Sequence, residues 1–182
     1  MPLTPAELGY IAGIVDGEGS ISLAHCSARA SGVYVYPLVR VANTDKGLID
    51  WLDEKVGVGH TGYVSKLHLG CKDVYHWAIA SNEAYELLVK IRPYLVVKAH
   101  RADIVTALWE ENETALRVAG RNNWGNHHPV PNWLRSWREA CFLYLKDLNR
   151  RGPGEPKFGD KVRRLLQHHE VALAVWRESH AA

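Results

Sequence analysis

The stretch IAGIVDGEG, Ile11 to Gly19, decides how the rest of the chain is read. Thr4 and Glu7 stand ahead of it in a capping-box pattern and Pro5 takes the first helical position, so a helix is predicted to about Asp16, ended by Gly17 and Gly19. At helical spacing Gly9, Ala12, Gly13 and Asp16 fall on one narrow face, with Leu8, Ile11 and Val15 on the next. A face of Gly and Ala admits another helix almost to backbone contact. That neighbour can belong to the same domain or to a second copy, and the helix alone does not choose between them. At its end, Asp16-Gly17-Glu18-Gly19 sets two carboxylates beside two glycines, a turn where side-chain and backbone oxygens can converge on a hard cation such as Mg²⁺. The same four residues are also a common surface turn.

Working outward, residues 20–26 and 33–42 read as two strands parted by a loop at Ser31-Gly32, and Pro37 in the second implies an exposed or bulged position. Asn43-Thr44-Asp45 caps a second helix carrying Leu48, Ile49, Leu52 and Val56, which Gly57 stops. Strands near 60–69 and 73–80 join at Gly70, and Ser81 caps a third helix holding Ala84, Leu87, Leu88 and Ile91, closed by Pro93. The predicted class is α+β: αββαββα, an antiparallel sheet with its helices on one face. Residues 99–118 form a further helix, a Gly/Asn/Pro-rich linker follows, and 133–149 and 160–178 read as amphipathic helices anchored by Trp133, Trp137 and Trp176. The expected organisation is thus a core domain over 1–118, a linker over 119–132 and a C-terminal helical extension over 133–182. His127-His128 in the linker lack a Cys or acidic partner at ligand spacing and read as surface loop.

With 47% hydrophobic and 23% charged residues the chain is of globular composition, and no run approaches the roughly 18 apolar residues of a spanning helix. The N-terminus lacks a basic region followed by an apolar run, so a soluble, intracellular protein without a membrane partner is expected, its compartment left open. Cys26, Cys71 and Cys141 contain no Cys-x-x-Cys pair and read as reduced. A net charge of +2 supports nucleic-acid binding only weakly. The basic excess from Lys146 to Arg164 is equally a solvated face or a phosphate-binding patch.

IAGIVDGEG resembles the LAGLIDADG motif of homing endonucleases, with Ala12, Gly13, Asp16 and Gly19 identical. Two further segments resemble that family in its order and spacing: PLVRVANTDKGLIDWLDEKVGVG, residues 37–59, and IRPYLVVKAHRADIV, residues 91–105. The resemblance covers about residues 8–108 and implies the saddle-shaped αββαββα fold of that family, in its single-motif, homodimeric type. It implies a phosphodiester hydrolase that cuts both strands of a long pseudo-palindromic DNA target, using Mg²⁺, with Mn²⁺ or Ca²⁺ able to replace it in binding. Glu18 matches the catalytic, metal-binding acid, where the family more often has Asp, and Gly17 the position whose carbonyl joins the metal shell. Asp16 matches a structural acid, and Lys98 the basic residue near the scissile phosphate. Asn43 falls near the polar residue of the water network and Lys46 near the second basic position. No organic cofactor is implied.

In such a fold the sheet's open face would lie in the major groove, where each base pair shows a distinct pattern of donors and acceptors. Strand alternation then selects Ser20, Ser22, Ala24 and Cys26, next Tyr34, Tyr36, Leu38 and Arg40, and finally Lys66, His68 and His76 to face DNA. The Gly9, Ala12, Gly13 and Asp16 face would join two copies. The alternative on the same scaffold is a non-catalytic nucleic-acid binder, either a maturase with intron RNA as partner or a transcription regulator. A small dimeric α+β interaction protein explains the Gly/Ala face but neither the carboxylate turn nor the Lys98 segment.

Overall fold

The computed structural model describes residues 2–28, 32–66, 70–119, 131–150 and 155–179. The first helix, α1 (Pro5–Gly17), begins as its cap predicts: the Thr4 hydroxyl accepts from the Glu7 N–H at 3.3 Å while Glu7 Oε2 accepts from the Thr4 N–H at 2.9 Å. Strands β1 (Gly19–Ala28) and β2 (Gly32–Asn43) follow. Helix α2 (Lys46–Val56) is capped by Asp45 Oδ1, which accepts from the N–H groups of Gly47 and Leu48, and ends at Gly57 in the left-handed conformation. Then come β3 (His60–Val64), β4 (Val74–Ala80), α3 (Ser81–Ile91), a 3₁₀ turn (Arg92–Tyr94) and α4 (Ala99–Ala119). Two more helices, α5 (Asn132–Leu148) and α6 (Gly159–Ser179), complete the described chain. No helix among the described residues is long and apolar enough to cross a membrane.

The strands form one sheet in the order β1-β2-β4-β3, with β4 antiparallel to both of its neighbours. Val39, Val41, Trp77 and Ile79 are buried on one of its faces, as are Ile11, Val15, Leu52 and Leu88 of the helices. The chain divides into two compact units, Met1–Ser22 with Pro37–Thr106, and Leu23–Tyr36 with Ala107–Ala182. The first holds α1, α2, β3, β4 and α3 with the start of β1 and the end of β2, while the rest of those two strands falls in the second. In the second, α5 and α6 pack together, Trp133 and Leu134 are buried with Ala115, and Arg138 Nε donates to Asn112 Oδ1 at 2.7 Å. The linker expected at 119–132, with His127-His128, lies mostly outside the described residues, as does the side chain of Trp176.

Three local expectations are corrected. Pro37 is neither exposed nor bulged: Val35, Pro37, Val39 and Val41 are all buried, so the alternation runs straight through it. The recorded β2–β4 pairs begin at Leu38↔Ala80, so that ladder makes no demand on the N–H that proline lacks. β3 ends at Val64, leaving Ser65 and Lys66 outside it, and the Lys66 N–H donates to Asp73 Oδ1 at 3.1 Å; residues 67–69 lie outside the described residues. Ser81 does not cap α3. β4 runs into the helix without a linker, Ala80 is the capping residue with no side-chain bond, and Ser81 is bent to a φ of 56°.

Gly59 holds the turn between α2 and β3. Its φ is 123°, and a Cβ there would lie 2.6 Å from Ile79 Cγ2 and 2.9 Å from the Ala78 carbonyl oxygen. That crowding follows from Trp77, whose buried indole donates to the Val58 carbonyl at 3.2 Å and draws the turn onto the sheet. Gly59→Ala is expected to cost about 2–4 kcal/mol by combining backbone strain with overpacking. A urea midpoint unchanged from the parent's would contradict this.

Candidate functional site

The carboxylate turn at the end of α1 is tied to a segment more than eighty residues away in sequence. Asp16 Oδ2 accepts from the N–H groups of Val96 (2.7 Å) and Val97 (3.2 Å), and Oδ1 from that of Lys98 (2.8 Å). In return the Lys98 ammonium donates to the carbonyls of Val15 (3.0 Å) and Asp16, the last turn of the helix. A cation at a helix C-terminus satisfies carbonyls that have no partner within the helix and opposes the helix dipole. Lys98 is 9% exposed, and its burial, joined by the nearby Arg101, lowers its pKa against the pull of Asp16 and Glu18. Burial raises the pKa of Asp16, but the three N–H groups outweigh it and hold the carboxylate below its ordinary value.

Glu18 follows this knot and is exposed, its N–H on the Ile14 carbonyl at 2.8 Å. Gly17 is also exposed, and a Cβ on it would meet nothing within 4 Å. Gly19 is different: a Cβ there would lie 2.8 Å from Val15 Cα and 3.3 Å from the Arg40 carbonyl oxygen. Gly19 is therefore demanded by the chain's own packing and Gly17 is not. Glu18 thus projects an unburied carboxylate from a turn whose backbone is fixed on both sides. Among the described residues no three His, Cys, Asp or Glu side chains cluster closely enough to hold a metal. At this turn the described residues bring one exposed carboxylate, Glu18, with the adjacent backbone oxygens, which fits a share of a hard-cation site.

The remaining motif-helix residues divide differently from expectation. Ala12 is fully buried within the single chain, as are Ile11 and Val15, so it offers no exposed surface on the helix. Asp16 is engaged by residues 96–98, and Gly9 lies 3.7 Å from the Tyr94 ring by the position of its absent Cβ. The open arc consists of Ala6, Tyr10, Gly13 and Gly17, with nothing within 4 Å of a Cβ at Gly13. A step of 100° per residue sets Ala12 and Gly13 far apart on the wheel, the signal that grouping them overlooked. Val96 and Val97, joined to Asp16, are 84% and 71% exposed, an apolar pair that pattern reading did not single out.

Asn43 and Lys46 have local partners. Asn43 Oδ1 accepts from the Asp45 N–H at 2.9 Å, and the Lys46 ammonium sits 2.6 Å from the Asp50 carboxylate. On the sheet, Ile21 and Leu23 are buried while Ser20, Ser22 and Ala24 are partly open, and Tyr36, Leu38 and Arg40 alternate with buried neighbours. Directly opposed residues share a face, so Arg40↔Ala78↔His60 forms one row across the open side and Ala42↔His76↔Gly62 the next. His60 is exposed there and went unassigned, although strand parity could have found it. Lys66 lies beyond the end of β3, so the ladder assigns it no face. His68 and the side chains of Cys26 and Tyr34 lie outside the described residues.

Two measurements probe this site without DNA. Lys98→Met should cost about 1–3 kcal/mol by leaving the Val15 and Asp16 carbonyls without their donor; a loss below 0.5 kcal/mol, at about the ordinary scatter of surface substitutions, would show the knot to be dispensable. The second is acid sensitivity. Glu7, bonded to Thr4 and 2.9 Å from the Lys55 ammonium, titrates at about 2 instead of 4.5, and Asp16 shifts in the same direction. Each carboxylate stabilises the fold while ionised in both states, above the unfolded value, and that contribution is lost as pH falls toward the folded one. Denaturation midpoints should therefore drop below about pH 4.5, and less steeply in a Glu7→Gln, Asp16→Asn double variant. Parallel curves would remove these two groups from the explanation.

The candidate site is thus a helix ending in an anchored acidic turn, in a unit whose antiparallel sheet leaves one face open. Among solved structures, over 91% of its length the chain superposes on the homing endonuclease I-CvuI with a TM-score of 0.62 and 15% identity, covering 95% of that protein. The archaeal intron-encoded homing endonuclease I-Vdi141I, complexed with DNA, gives 0.61 at 14% identity, with 91% of this chain and 98% of that one covered. For the homing endonuclease I-TnaI the values are 0.53 and 17%, with 93% and 99% covered. I-CvuI has been crystallised with DNA targets in the presence of Mg and of Ca. The chain has the LAGLIDADG homing-endonuclease fold. No protein-family model matches it, and no curated protein does. The structural match covers too large a share of the chain to stop at residue 118, so it includes C-terminal residues in which sequence revealed no likeness.

Proposed function

We propose that this chain is a site-specific double-strand DNA endonuclease that acts as a homodimer with divalent metal ions. The observation that carries the reading is Glu18, an exposed carboxylate on a turn fixed by the Asp16–Lys98 knot beside the open Gly13 and Gly17 arc. A bound Mg²⁺ would activate water and relieve charge on the scissile phosphate. Glu18 and the Gly17 carbonyl would hold it, and Lys98, donating to the Val15 and Asp16 carbonyls, would keep that turn in place. Since one chain supplies one such carboxylate, two copies packed along α1 would complete the pair needed to cut both strands. Two-fold protein symmetry calls for matching half-sites in the DNA. The open sheet face, with Arg40, His60 and His76, would read bases, and Ser20 and Ser22 are short enough to favour water-mediated contacts.

One observation favours a second reading, a non-catalytic binder of DNA or intron RNA: the Lys98 ammonium is committed to helix carbonyls. Incubation with a randomised duplex library and Mg²⁺ separates the two. Enrichment of cut molecules sharing one palindromic sequence supports the endonuclease, whereas selective binding without cutting supports the second reading and overturns the first.

A further inference from the structure

On the open sheet face, Gly62 of β3 stands opposite His76 of β4, and a Cβ at Gly62 would lie 2.7 Å from both Cε1 and Nε2 of the imidazole. The ring therefore lies across β3 in space that any other residue would fill. Its row neighbour on the far side is Ala42, and the next row holds Ala78 between Arg40 and His60. Long polar side chains thus alternate with alanine and glycine, leaving the sheet backbone close to whatever approaches.

From this arrangement, and resting on the DNA-cleaving reading above, we infer that Gly62 is a specificity-determining position that works through His76. Three adjacent strands span about 9.6 Å, which fits a major groove about 12 Å wide. Arg40 and His60, at the two ends of one row, then address opposite sides of the groove, and His76 lies one row along. Neighbouring rows on one face are about 6.7 Å apart, near two base-pair steps of 3.4 Å. His76 therefore reads a base pair about two steps from the one shared by Arg40 and His60. Its imidazole edge meets that base in a single orientation because the Gly62 gap holds the ring flat. A methyl group at Gly62 would displace the ring and leave the backbone alone, since the crowded atoms are the far end of a flexible side chain. Gly62 is a positioning residue, and His76 makes the contact.

The test compares the parent, Gly62→Ala, His76→Ala and the double variant in binding selection from a half-site-randomised duplex library, with His76 ring resonances followed by NMR. The parent should prefer one base at the position read by His76, and both single variants should weaken that preference roughly 10-fold. The double variant should be no weaker there than His76→Ala, and the Arg40 position should keep its preference in all four proteins. Gly62→Ala should unfold within about 1 kcal/mol of the parent, as alanine is better tolerated than glycine in a strand interior. In the absence of DNA its His76 resonances should shift. A Gly62→Ala profile identical to the parent's, or altered at a position that His76→Ala leaves untouched, would overturn the inference while the functional reading stands. A parent that selects no sequence would overturn that reading as well, and unshifted His76 resonances would refute the positioning role independently of DNA.

Discussion

Glu18→Gln is expected to bind target DNA with near-parental affinity and to cut it more than about 100-fold more slowly, beyond the roughly 10–100-fold lost on disturbing groups one shell removed from a metal. The amide keeps the volume of the side chain but not the charge that draws a hard cation. Affinity should survive because the sheet face proposed to read DNA lies elsewhere, and the fold should survive because Glu18 is exposed and the turn is secured by Asp16, Lys98 and its own backbone N–H. Gel-shift titration in Ca²⁺ alongside single-turnover cleavage in Mg²⁺ measures the two effects separately. Cleavage at the parental rate would remove Glu18 from the chemistry. Equal loss of binding and rate would make it a folding residue.

The second large effect is expected at Gly13, where two substitutions should move in opposite directions. Glycine within a helix costs about 0.5–1 kcal/mol relative to alanine, and Gly13 has no compensating neighbour, since a Cβ there meets nothing within 4 Å. Gly13→Ala should therefore stabilise an isolated chain by roughly that amount. If α1 packs against its symmetry mate, a bulky residue would meet itself across the axis, so Gly13→Leu should abolish dimerisation and double-strand cutting while leaving the circular dichroism spectrum little changed. Sedimentation of the parent as a monomer both on and off DNA, with full double-strand cutting, would refute the homodimer. Destabilisation by Gly13→Ala in a monomeric background would mean that the chain needs this glycine for itself.

The helix and strand order was legible because the signals were local. Thr4, Asp45 and Gly57 act within a few residues, and the alternation of Val35, Val39 and Val41 with Tyr36, Leu38 and Arg40 records burial directly. What escaped depends on partners distant in sequence or on register. Past the end of β3 the Lys66 N–H goes to the Asp73 side chain, and the plain course of β2 through Pro37 depends on where the β4 ladder begins. Ser81 had the composition of a cap, but a strand entering the helix directly put it in the wrong conformation to serve. In the candidate site, resemblance singled out Glu18 and Lys98. The attachment of Lys98 to the α1 carbonyls could not be read that way, because no spacing rule relates residues 15 and 98.

The knot between α1 and residues 96–98 also has a consequence for the order of folding. Its hydrogen bonds join residues 80 to 83 positions apart. Such a closure carries a chain-entropy cost that only the assembled sheet and helices between its ends can offset, so it forms late. In a growing chain the acidic turn therefore emerges about eighty residues ahead of the Lys98 segment that sets it. The turn is made well before the segment that organises it, and under the proposed function an incomplete product would carry no working edge to the genome.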